Sequence, residues 1–171
     1  MSDAEARAQR LLDKHHFVTA PIPVQKLAEL EGAVVVHQRF DGNSTSGFML
    51  ADGSGVVIGV NSATSKRRQR FTIAHEIGHM VMHRSDSLMV DSVIQFRDDL
   101  SSLGTNTNER EANAFAASLL MPLKLVVKHM ARALDAGVDG RDELISRLAA
   151  EFDVSSEAMS YRLINLGVLR A

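Results

Sequence analysis

The chain has 171 residues, 45% of them hydrophobic, and a formal charge of −2, so it is of single-domain size and can bury a core without covalent staples. It has no cysteine, which excludes disulfides, thiolate metal sites and cysteine nucleophiles and leaves histidine and carboxylate side chains to hold any metal. The slightly acidic balance argues against a mainly nucleic-acid-binding chain, because such domains carry a basic excess that displaces counterions from phosphates.

Residues Met1 to Arg7 lack the apolar run of an export signal, and no stretch approaches membrane-spanning length, so a cytoplasmic protein with no membrane partner is expected. A first helix is predicted over 4–16, with Ala8, Leu11 and Leu12 on its apolar side, and a second over 24–31, stopped by Gly32. Three β-rich segments follow at 33–36, 47–51 and 55–60, with Asp52-Gly53-Ser54 as turn residues between the last two, which predicts a small antiparallel sheet. The basic cluster Lys66-Arg67-Arg68-Gln69-Arg70 reads as a solvated approach to a helix that runs from Phe71 to Met82 or His83. Residues 85–108 form a long polar stretch, read as a flap or short helix beside a site. Helices are then expected over 109–121 and 123–134, separated by Pro122, and over 141–151 and 155–165 after the Gly137 and Gly140 break.

The third predicted helix carries His75-Glu76-Ile77-Gly78-His79. Residues four apart lie one above the other on one helix face, so His75 and His79 can present two ring nitrogens to one cation. Glu76, one step round, can stand beside the metal's open position and accept a proton from a bound water. A catalytic zinc site needs a third protein ligand from another element. A metzincin spacing would require Gly at 82 and His at 85, where this chain has Met82 and Ser85, so a carboxylate on the next helix remains. Glu109 fits, sharing its face with the small residues Ala112, Asn113 and Ala116; Glu111 is the alternative, and either can instead be a first-turn acid favoured by the helix dipole.

The run from Arg70 to His79, followed by Glu109-Arg110-Glu111-Ala112-Asn113 and continuing to Met121-Pro122, resembles the ImmA/IrrE family of bacterial metallopeptidases over about 20–165. The resemblance implies that His75, His79 and Glu109 bind the metal and that Glu76 is catalytic. It also implies a gluzincin-like fold and a protein substrate, a helix-turn-helix repressor whose cleavage relieves repression, in a stress-response setting. The expected architecture is α+β: a small antiparallel or mixed sheet packed on a helical bundle that carries the motif helix, with a helical C-terminal tail resembling a helix-turn-helix. The expected division is a zinc metallopeptidase domain over 1–135 and a small helical subdomain over 136–171 packed on it. Zn²⁺ is the expected cofactor, with Mn²⁺ the alternative for such nitrogen and oxygen donors.

His83 continues the histidine stripe and reads either as a partner of the site or as a helix C-terminal residue facing free carbonyls. Asn113 reads as a hydrogen-bond partner near the metal or as a packing residue, and Tyr161, the single tyrosine, as a core residue or an oxyanion donor. His15, His16, His37 and His129 read as surface or boundary residues. In the tail from Arg141, four arginines stand against five acids, so direct DNA binding is not expected. A second class of function is a metal-stabilised regulator that sequesters a repressor or DNA without cleavage, although such a structural site has no use for Glu76 beside an open position.

Overall fold

The computed structural model describes residues 2–40, 45–52, 55–83, 88–92 and 107–170. Helix α1 (Asp3–Lys14) starts where the Ser2 hydroxyl accepts the Glu5 N–H, and it buries Ala4, Ala8, Leu11 and Leu12 on one side. Helix α2 (Val24–Leu30) ends before Gly32, whose φ of +89° suits a residue without a side chain.

Four strands form one sheet in the order β1-β3-β2-β4: β1 (Ala33–Gln38), β2 (Thr45–Asp52), β3 (Gly55–Asn61) and β4 (Leu88–Ser92). The β2–β3 and β2–β4 pairs are antiparallel, but β1 pairs parallel to β3, Ala33 opposite Val56. The sheet is therefore mixed, the second of the two forms expected. Residues 53 and 54 of the expected turn lie outside the described residues. Across β2 and β3, Phe48 lies opposite Gly59, and a Cβ at Gly59 would sit 2.2 Å from the Phe48 ring, so the glycine leaves the space that the ring fills.

Two readings of the sequence need correction. In the stretch 85–108, residues 88–92 form strand β4 rather than a helix, while residues 85–87 and 93–106 lie outside the described residues. The basic cluster is not an approach segment but the first turns of helix α3 (Lys66–Met82), which Ser65 caps by accepting the Arg68 N–H. Its arginines are also engaged: Arg67 Nε lies 3.4 Å from Asp153 Oδ1, Arg70 Nε donates to the Asp153 carbonyl at 3.2 Å, and Arg68 donates to Ser46 Oγ.

Every residue of α3 from Phe71 to His79 is buried. A helix enclosed on all sides needs no polar outer face, and here the sheet lies on one side and α4 (Thr107–Leu120) on another. Helices α5 (Leu123–Asp135), α6 (Arg141–Phe152) and α7 (Ser156–Asn165) complete the bundle. The left-handed Asp153 ends α6, and the Ser155 hydroxyl accepts the Ala158 N–H to start α7. One hydrophobic cluster takes residues from both ends of the chain, Ala8 and Leu12 with Leu148, Phe152 and Leu163. Arg162, 7% exposed, donates to the Met121 carbonyl at 3.0 Å and to Glu5 Oε1 at 2.8 Å, so α7 is tied to α1 and to the α4–α5 junction.

Candidate metal centre

The site is positioned by the close approach of two helices. A Cβ at Gly78 would lie 3.1 Å from Ala112 Cα and O and 3.2 Å from Phe115 Cδ1, so the absence of a side chain there lets α3 and α4 touch almost backbone to backbone. Glu109 is three residues before Ala112 on α4, and that contact turns its carboxylate toward the histidines. His75 Nε2 lies 3.2 Å from Glu109 Oε2, His79 Nε2 lies 3.2 Å from Glu109 Oε1, and the two ring nitrogens are 2.9 Å apart. The imidazoles meet edge to face, their centroids 4.6 Å apart. Four ligands at the 2.0–2.1 Å of a zinc–nitrogen bond sit roughly 3.3 Å from one another on a tetrahedron, so these donors fit one face of such a site.

The rest of the surroundings orients this face. His75 Nδ1 lies 2.9 Å from Asn113 Oδ1; a ring that donates there keeps, in its neutral form, a lone pair on Nε2 directed into the cluster. The two histidines, hydrogen-bonded to Glu109, hold its carboxyl well below the usual carboxylate range, against the opposing effect of burial. His75, Glu76 and His79 are completely buried, whereas the Glu109 side chain is one-third exposed, so the cluster is reached from the α4 side. Gly47 on β2 faces Glu76: a Cβ there would be 2.3 Å from Thr72 Cγ2, 2.8 Å from the Gly59 carbonyl and 3.5 Å from Glu76 Oε1. The glycine thus lets the sheet close over the helix beside that carboxylate.

Among the described residues, His75, His79 and Glu109 make up the group of ligand-type side chains whose donor atoms, all within 4.8 Å of one another, can hold a metal ion. Glu111, the alternative acid, pairs instead with His83 at 3.5 Å. His83 also lies 3.2 Å from the Asn108 carbonyl, so it caps α3 while fastening the start of α4. That second role spans two helices and is not visible in the sequence of either. Tyr161 is on α7 and 42% exposed, which is not the core position that a lone aromatic suggests. His15 and His129 pair with Glu31 and Glu151, while His37 faces Gln25.

A motif helix with two histidines, completed by an acid from the following helix beneath a small mixed sheet, defines an HExxH-type metal-site fold. Residues 28–164 match the IrrE N-terminal-like domain, peptidase M78; the chain belongs to this family. It is 36% identical over 107 residues to the radiation response metalloprotease IrrE of Deinococcus deserti and 34% identical over 107 residues to that of Deinococcus radiodurans. Each match covers 63% of this chain but only 35% and 30% of those proteins, so the aligned part spans about a third of their length. Among solved structures, a Mycobacterium tuberculosis transcriptional regulator shares the fold with a TM-score of 0.62 at 17% identity, over 95% of this chain and 56% of that one. Among the described residues, no single helix is long and apolar enough to cross a membrane.

Proposed function

We propose that this chain is a metal-dependent endopeptidase in which His75, His79 and Glu109 hold zinc and Glu76 is the catalytic base. The convergence of three donor atoms beside the buried Glu76 carries this reading. When bound, the metal supplies Lewis acidity, polarising the scissile carbonyl and bringing the ionisation of a water ligand near neutrality. Glu76 takes the proton of the attacking water on a carboxylate oxygen and delivers it to the departing amine. Asn113 holds the His75 ring in the tautomer that offers Nε2, so no reorientation is needed when the site is loaded. Nitrogen and carboxylate donors also accept manganese, but the divalent affinity order favours zinc.

The substrate is an extended protein segment. Strand β4 forms one edge of the sheet, and adding a strand there gives backbone hydrogen bonds without demanding one sequence. Through the family resemblance, the target is a helix-turn-helix repressor cut in the cytoplasm to relieve repression, and the relatives named radiation response metalloproteases agree with a stress setting. The 136–171 segment serves as a helical subdomain packed on the peptidase domain rather than as a DNA reader.

Incubating the protein with the repressor encoded beside its gene, with and without chelator, tests this. A defined metal-dependent cut is expected. The Glu76→Gln protein should keep its metal and leave the repressor intact; undiminished cleavage by that variant overturns the base assignment. Repression relieved without any cut favours sequestration instead.

A further inference from the structure

We propose that the cleft between α3, the end of α4 and the start of α7 is a side-chain pocket that takes one large apolar residue of the peptide substrate, two or three positions from the scissile bond. This rests on the peptidase reading and specifies the substrate of the same site. The cleft has a volume of about 340 Å³ and is lined by Phe71, Leu120, Met121, Val154, Ala158 and Arg68, among others.

Its position follows from helix periodicity. Arg68, His75 and His79 are spaced i, i+7 and i+11, so they share one face of α3. Phe71 stands one turn before His75, the two rings 6.4 Å apart. Two of the α3 residues that line the pocket, Arg68 and Phe71, therefore lie on or beside the face that carries the candidate metal ligands, toward the helix N-terminus. At 1.5 Å per residue, Phe71 and Arg68 lie roughly 6 and 10 Å along the axis from His75. An extended peptide advances about 3.3 Å per residue, which makes that span two to three residues.

The chemistry of the lining selects the occupant. Phe71, Leu120, Met121, Val154 and Ala158 are all 5% exposed or less, so the floor offers a charged head group no hydrogen-bond partners and favours apolar surface. A cavity of about 150 Å³ already accommodates benzene; the volume here admits a leucine, methionine or phenylalanine side chain. The charged residues that also line the cleft include both signs, Arg67 and Arg68 with Glu157, so its mouth does not discriminate strongly by charge. Arg68 donates to Ser46 Oγ at 3.0 and 3.2 Å, and Ser46 adjoins Gly47 beside Glu76. The same stretch of β2 thus borders both the pocket and the proposed base, and a side chain seated in the cleft would fix the register of the peptide.

The test uses acetylated decapeptides in which one leucine walks through an alanine background, with affinity measured on zinc-loaded Glu76→Gln protein. Leucine at one position should bind about ten-fold or more tighter than alanine there, and an alanine-to-valine-to-leucine series at that position should grade with side-chain area on the otherwise unaltered pocket. Ala158→Phe, which fills the pocket, should remove the difference between leucine and alanine at that position, with thermal melting showing that the variant is folded. A leucine gain that is equal at every position, or that survives in a folded Ala158→Phe protein, overturns the pocket. Cleavage of the same peptides by the unsubstituted protein is read separately. Position-specific binding with no cleavage would sink the peptidase reading and leave the pocket standing. Cuts at no fixed distance from the leucine would do the reverse.

Discussion

Placing alanine at Gly78 tests whether the helix–helix approach builds the candidate metal centre. On an exposed helix this change is stabilising by about 1 kcal/mol, because glycine loses more backbone freedom on folding. Here the new methyl would stand 3.1 Å from Ala112 Cα and O and 3.2 Å from Phe115 Cδ1, so α4 must give by a few tenths of an ångström. Overpacking of this kind costs about 1–3 kcal/mol, which outweighs the helix gain and leaves a net loss of about 1 kcal/mol. In a chain of this size that is roughly 2–4 °C in Tm. The same displacement acts on Glu109, one turn away, whose oxygens must stay about 3.2 Å from both imidazole nitrogens. Because metal sites tolerate only about 0.5 Å of error, zinc affinity should fall by roughly ten-fold. Thermal unfolding of the metal-free protein and a zinc competition titration measure the two effects. A Gly78→Ala protein that melts higher and binds zinc unchanged would refute the idea that this contact sets the site.

Asn113→Ala should lower zinc affinity by roughly 10–100-fold with little change in melting of the metal-free protein, since it frees the His75 ring to adopt the other tautomer; competition against a chromogenic chelator reads this directly. Gly47→Ala should be more damaging than Gly78→Ala, because its Cβ meets the Gly59 carbonyl at 2.8 Å as well as Thr72 Cγ2 at 2.3 Å, and a loss of about 3 kcal/mol in chemical denaturation is expected. If the proposed ligand set is right, zinc affinity should fall as pH is lowered, because protons compete with the metal for the donor atoms, and calorimetry should show proton release on binding. In the metal-free protein the sign for Glu109 runs the same way. Its folded-state pKa is depressed below the ordinary 4.5, so its stabilising contribution is present above about 4.5 and is lost as pH falls further; Glu109→Gln should flatten that acid limb of the stability profile.

Local periodicity made half the centre legible. The four-residue spacing of His75 and His79 fixes their common face as soon as the segment is helical, and Glu76 follows one step round. The helices themselves were readable because their apolar faces and caps, such as Ser155 before α7 and Gly32 after α2, are local signals. Strand β4 was not, since Leu88-Met89-Val90 is too short an apolar run, inside an otherwise polar stretch, to announce a strand, and its edge pairing to β2 is a backbone interaction. The parallel β1–β3 pair was equally hidden: apolar runs in three neighbouring strands state that they pair, not in which order.

The amino-acid order alone thus determined the two imidazoles, the neighbouring acid and the absence of any thiolate alternative. Tertiary packing decided that Glu109 rather than Glu111 joins them, because the Gly78–Ala112 contact turns one face of α4 inward while His83 engages the other acid. It also decided that Arg67 and Arg70, a basic cluster in the sequence, dock the motif helix onto Asp153 beside α7. Both outcomes depend on distances between residues 28 to 86 positions apart, and no local pattern encodes such a distance.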